Sequence, residues 1–150
     1  MCSSDLQTLR PVPESWSVAE VLEHLVLVER RSSLLLRGVA QKVKAGLATP
    51  ANGQLSKELL LNRTQKRVAT EAVSPSGAVA VADSLQALQA ARGELRAVVA
   101  AADERMLGAH AYDHPFFGPL NAGQWVEFIA GHEARHTAQI AEIAEQLQAS

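Results

Sequence analysis

The chain is poor in the residues that anchor several common architectures. Cysteine occurs once, at Cys2, so an internal disulfide is excluded and a closed, sulfur-rich structural metal site is not expected. Only six residues are aromatic, and the alternating Val/Ile/Thr/Tyr pattern of strands is scarce, which points to an all-α fold. Neither sign of charge dominates. Lys+Arg 14 against Asp+Glu 16 gives a net charge of −2 and a pI near 6.2, so the positive field that draws a protein to a phosphate backbone is missing and nucleic acid is not an expected partner. Long apolar runs are also missing. Leu25–Val28, Leu34–Leu36 and Val98–Ala102 are far shorter than the ~20 residues needed to cross a bilayer, so no membrane span is expected. The opening Met-Cys-Ser-Ser-Asp-Leu has neither the basic patch nor the apolar core of a secretory signal, and the lone cysteine suits a reducing cytoplasm.

What remains is ordinary globular material. Apolar residues make up 47% and charged residues 20% of 150 residues, the size and composition of one domain, residues 1–150, folding around one core. Ser17 followed by Glu20 forms a capping box, and Val18, Val21, Leu22, Leu25, Val28, Leu35, Leu36 and Val39 recur at helical spacing after it, which predicts a helix over about 18–44. The second half of that helix carries Arg30, Arg31, Arg37, Lys42 and Lys44, read as a solvated face with favourable charge at the C-terminal end. Breakers at Gly46–Gly53 and Ser74–Gly77 bound a long crossover that holds at most a short helix within 55–67. A second helix is expected over about 84–103, with a stripe of Leu88, Ala91, Leu95, Val98 and Ala102. Residues 104–120 are expected to be irregular around Pro115, Gly118 and Pro119, after which Asn121 and Gln124 cap a last helix over about 122–148.

On the last helix Trp125, Ile129, His132, His136, Ile140, Ile143 and Leu147 share one face. Two histidines one turn apart on an apolar face need partners, because an unsatisfied buried polar group costs about 1–3 kcal/mol. Two arrangements supply them: a shared cation, or separate hydrogen bonds within the core. His24, at the flank of the first helix's buried face, can point across an interhelical seam and complete a three-nitrogen set, which leaves a divalent ion with open positions. His110 and His114 have the same spacing as His132 and His136 but precede Pro115, where a helix is disfavoured, and are read as loop residues. The string His132-Glu133-Ala134-Arg135-His136 literally matches the zinc-protease pattern. That reading is disfavoured: Glu133 lies ~100° round the helix from His132, Arg135 brings charge into the interval, and no further ligand follows closely.

Several separated motifs occur in order: Trp16-Ser17-Val18-Ala19-Glu20-Val21-Leu22-Glu23-His24-Leu25, then Val73-Ser74-Pro75-Ser76-Gly77, His114-Pro115-Phe116-Phe117-Gly118-Pro119-Leu120, Gln124-Trp125-Val126-Glu127-Phe128, and His132-Glu133-Ala134-Arg135-His136-Thr137-Ala138-Gln139-Ile140. Together they resemble the DinB-like (YfiT-like) metal-binding superfamily over about 10–145. The resemblance implies a four-helix bundle with long crossover loops that binds a divalent ion, zinc or nickel foremost and iron or manganese otherwise, through His24, His132 and His136. It also implies activities of the metal-dependent hydrolase type, or thiol S-transferase activity with a small-molecule substrate and a low-molecular-weight thiol. Relatives in this superfamily usually have a complete helix before the Trp-Ser motif, whereas Met1 to Pro13 allow only a turn or two here. The first helix is therefore expected to be short or missing, and the apolar groove this would open suits a homodimer.

Two other readings accompany the enzyme. One is a non-catalytic protein in which the ion is a structural pin, and the other is a metal-free bundle acting through protein contacts. Arg135 and Gln139 flank the histidine pair and are candidates to orient a substrate or water, with a surface salt bridge for Arg135 and a buried polar contact for Gln139 as the plainer roles. Trp16, Tyr112, Phe116, Phe117 and Trp125 are candidates to wall a pocket.

Overall fold

A computed structural model of the chain describes residues 3–150, with side chains from Asp5 onward; Cys2 lies outside the described residues. In chain order the elements are α1 (Ser3–Leu6), α2 (Val18–Lys44), α3 (Lys57–Leu61), a 3-10 turn (Glu71–Val73), α4 (Val81–Ala100), α5 (Glu104–Leu107), β1 (His110–His114), β2 (Gly118–Asn121) and α6 (Ala122–Gln148). Three long helices and the four-residue α1, short as expected, make an all-α bundle with long crossovers. None of the described helices is long and apolar enough to cross a membrane.

Helix α2 starts where its capping box dictates. Ser17 Oγ accepts from the Glu20 backbone N–H at 3.2 Å, and Glu20 Oε2 accepts from the Ser17 N–H at 2.8 Å, satisfying two donors that the first turn would otherwise leave bare. The helix packs against both α4 and α6. Its N-terminal half is consequently buried nearly all round, including Glu20, Glu23 and Glu29. Each of these carboxylates has a partner, as a buried charge requires: Arg10 for Glu20, Arg92 of α4 for Glu29, and the Ser76–Gly77 backbone for Glu23. Helix α6 begins with the second capping box, in which Asn121 Oδ1 accepts from Gln124 N–H at 2.8 Å. Gln124 also bonds the backbone of Gly53 in both directions, at 3.1 and 2.7 Å, so the breaker segment is seated on the start of α6.

The core runs from Leu36 and Val39 of α2 through Leu95 of α4 to Trp125, Phe128 and Ile129 of α6, with Leu60 and Leu120 sealing it. Gly131 makes room for Leu60, since a Cβ there would run into the Leu60 side chain.

Residues 104–120 are more ordered than expected. Asp103 caps α5 through Met106 N–H at 2.9 Å, which ends α4 at Ala100 rather than at residue 103. An antiparallel β1–β2 hairpin follows, with His114 opposite Gly118. Gly118, at φ +71, occupies the left-handed region that glycine adopts without strain. Two short strands carry little periodicity, and Ala111, Phe117 and Leu120 bury against the bundle, so tertiary packing sustains the hairpin. On α4 only Ala91 and Leu95 of the expected stripe are fully buried, and Leu88 and Val98 are partly so.

Candidate metal centre

Helices α2 and α6 bring His24, His132 and His136 together. One ring nitrogen from each lies within 4.8 Å of the other two, and His132 Nε2 stands 3.1 Å from His24 Nε2 and 3.1 Å from His136 Nε2. An ion ~2.1 Å from two imidazole nitrogens, at angles between octahedral and tetrahedral, separates them by roughly 2.9–3.4 Å. The spacing therefore fits ligands sharing one ion.

The proton inventory points the same way. His24 Nδ1–H donates to the Val73 carbonyl at 2.7 Å, and His136 Nδ1–H donates to Gln139 Oε1 at 2.7 Å. Both acceptors lack a proton to give, so each ring carries its hydrogen on Nδ1 and turns a bare Nε2 lone pair inward. His132 Nε2 can donate to one of these lone pairs and not to both. A cluster of converging electron pairs in a buried setting is satisfied by a cation. Burial also keeps the rings neutral, the form that ligates. It lowers the His24 pKa against the pull of the Val73 carbonyl, pushes His132 well below the ordinary value with further repulsion from the other two rings, and brings His136 down to about 4.

The groups behind the three histidines were only partly visible in the sequence. Glu23, next to His24 and buried, accepts from Ser76 N–H at 2.8 Å, Ser76 Oγ–H at 2.7 Å and Gly77 N–H at 3.0 Å. That grip holds the 73–77 turn where Val73 can receive His24. A glutamate beside a histidine on a buried face was the available signal. Gln139 makes the buried polar contact expected of it, on His136 itself. Arg135 corrects its expectation: instead of a surface salt bridge it is 5% exposed and donates to the carbonyls of Leu60 and Asn62 and, at 2.7 Å, of Gln65. It straps the crossover to α6.

Glu133 is turned away from the rings and paired with Arg92, which also binds Glu29; the protease-type role finds no geometric support. His110 and His114 stand on β1, where extended backbone sets residues four apart roughly 13 Å from each other. His110 pairs with Asp113 at 2.9 Å, and His114 packs against Phe117 and Phe128. They do not join the cluster.

A cleft of about 1220 Å³ opens on the three histidines. Trp16 lies over His24 with ring centroids 4.9 Å apart, and Tyr112, Phe116, Trp125 and Phe128 contribute walls. Phe117, expected there too, is instead in the core at the centre of the hairpin contact.

Against this geometry stands a comparison with known proteins: the sequence pattern of the DinB superfamily matches residues 3–140. The chain belongs to the DinB superfamily. Within it, this DinB protein is 29% identical over 140 residues to the uncharacterized protein YuaE of Bacillus subtilis (strain 168), covering 93% of this chain and 83% of the relative. No solved structure matches significantly. The bundle, the crossover and the histidine cluster thus belong to a DinB chain whose three rings are spaced so that they could hold a metal ion.

Proposed function

We propose that this DinB protein binds one divalent metal ion through His24, His132 and His136, zinc or nickel foremost and iron or manganese otherwise, and acts as a metal-dependent hydrolase or thiol S-transferase on a small molecule. The observation that carries the reading is the convergence of three Nε2 atoms, two of them deprotonated by the hydrogen bonds their Nδ1 atoms make. Three neutral ligands leave the ion a position for a further group. A metal so bound supplies Lewis acidity, lowering the pKa of a water or thiol that reaches that position. The chain's own residues do the rest. Val73 and Gln139 hold His24 and His136 in the ligating tautomer, Trp16 packs over His24 as part of the cleft wall, and the cleft admits the substrate to the rings. The proposed setting is a reducing cytoplasm, with the single domain alone or as a homodimer.

Elemental analysis of the untagged protein, followed by X-ray absorption with and without a low-molecular-weight thiol, tests the proposal. One ion per chain, with a sulfur neighbour appearing on thiol addition, supports the transferase reading, and an exchangeable oxygen neighbour supports the hydrolase. An ion saturated by protein groups and unmoved by either marks a structural pin. A protein that takes up no divalent ion overturns the site.

A further inference from the structure

We propose that the cleft selects small molecules bearing a carboxylate or another oxyanion, and that Arg67, assisted by Lys66, is the group that recognises it. This rests on the metal reading above for the position of the ligand's other end. The charge around the cleft runs against that of the chain. The whole sequence carries −2, yet the cleft is lined by Arg31, Arg63, Lys66, Arg67 and Arg135 against Glu14 and Glu142, an excess of three positive side chains. Among the described residues only Arg63 of the five has a carboxylate partner, Glu142, on two bonds of 3.3 and 2.9 Å. Arg135 meets carbonyl oxygens alone, which satisfy its N–H groups without cancelling its charge. Arg31 and Lys66 have no hydrogen-bond or ion-pair partner among the described residues.

Arg67 is the organised member of the set. One of its N–H groups donates to the Leu59 carbonyl at 2.8 Å, and its guanidinium lies 4.9 Å from the centroid of Phe116. A carbonyl on one corner and an aromatic ring beneath fix the plane of the fork while leaving other N–H groups free, a geometry suited to two oxygens of one anion. This also gives a role to Phe116, which is 68% exposed in a sequence with few aromatics. Three neutral imidazoles bring no negative charge to offset a divalent ion, so a cation bound there adds to an uncompensated positive cleft. A ligand that carries an oxyanion supplies the missing charge, and ligand and metal then favour each other's binding.

The test uses the full chain loaded with cobalt(II), titrated with 3-mercaptopropionate and with 2-mercaptoethanol. The two differ in a carboxylate, and each binds as thiolate with its proton passing to the buffer. The readout is thiolate-to-cobalt absorption. The expected result is about tenfold or greater preference for the carboxylate thiol, shrinking as sodium chloride is raised. Arg67→Ala should remove most of the preference at unchanged cobalt stoichiometry, the remainder falling when Lys66→Ala is added, and Arg67→Lys should keep more of it than Arg67→Ala. A merely structural Arg67 would weaken both thiols alike. Displacement of 3-mercaptopropionate by inorganic phosphate assigns a general oxyanion subsite, whereas failure of displacement assigns a carboxylate subsite. Equal affinities in the unaltered protein, or a preference undiminished in Arg67→Ala, overturn the proposal. If cobalt binds but neither thiol reaches it, the thiol reading falls and the oxyanion proposal is decided by phosphate alone, followed through Trp16 and Trp125 fluorescence. Saturation lost in Arg67→Ala supports it, and no saturation, or the same saturation in both proteins, overturns it.

Discussion

Removing His24 separates a shared ion from a pair of hydrogen-bonded core histidines, because His132 and His136 stay untouched on α6 while the ligand from α2 disappears. In the wild-type chain, free zinc at ~1,000 times its dissociation constant should stabilise the fold by about 4 kcal/mol. For a chain of this length each kcal/mol moves the melting temperature by about 2–4 °C, so zinc should raise it by about 8–16 °C over the same protein in chelator. Loss of one of three nitrogen ligands is expected to weaken binding by roughly a hundredfold or more, which subtracts about 2.7 kcal/mol at ~1.4 kcal/mol per tenfold. The zinc-dependent shift in His24→Ala should fall to about 3–6 °C or less. Substitution also frees the Val73 carbonyl, whose 2.7 Å bond to His24 is lost, but that change is present with and without zinc and cancels in the difference. Scanning calorimetry with zinc or chelator, alongside elemental analysis, makes the measurement. An undiminished zinc shift with full stoichiometry in His24→Ala would refute the three-histidine site.

Acid should act on the chelated protein as well as on the metal. The folded pKa values of His24, His132 and His136 lie below those of unfolded histidine, with His136 at about 4, so the unfolded chain binds more protons between roughly pH 6.5 and 4 and stability falls as pH falls through that window. Urea titrations in chelator should show this loss, about 3 kcal/mol from His136 alone when complete; a flat response from pH 6.5 to 4.5 contradicts it. Arg135→Met should cost about 2–4 kcal/mol in urea unfolding, since three crossover carbonyls lose their donor, and Arg135→Lys should recover little because one ammonium cannot reproduce the fork. A cost under ~0.5 kcal/mol would show that the strap is idle. Arg92→Leu should cost about 3–5 kcal/mol by leaving Glu29, 3% exposed, buried without its cation. Glu133→Gln should cost under ~1 kcal/mol, since its carboxylate is partly exposed, and should leave metal content and any metal-dependent turnover intact; loss of turnover alone would revive the protease-like role of Glu133.

Much of the fold was legible because it depends on neighbours in the chain. The capping boxes at Ser17/Glu20 and Asn121/Gln124 and the 3.6-residue spacing of apolar positions place α2 and α6 within a residue of where they are found. The His132/His136 face followed from the same periodicity. The β1–β2 hairpin and the early end of α4 were not legible. Four- and five-residue strands are too short to show a period, and Asp103 can serve as the end of one helix or the cap of the next until packing chooses. Arg135 was misread for a related reason: a charged side chain on a helix faces solvent unless a distant segment offers acceptors, and the carbonyls at 60, 62 and 65 are 70 to 75 positions earlier in the chain.

By itself, the order of amino acids determined the helical class, the starts of α2 and α6 and the three imidazoles able to serve one site, because caps and periodicity act over a turn or two of backbone. Tertiary structure alone decided that residue 24 meets residues 132 and 136, and that Val73 and Gln139 set which nitrogen faces inward. Such encounters depend on how α2 and α6 pack and on where Glu23 and Arg135 fasten the crossover between them. No local pattern encodes a contact across 108 positions, whose closure must be repaid by the packed bundle as a whole.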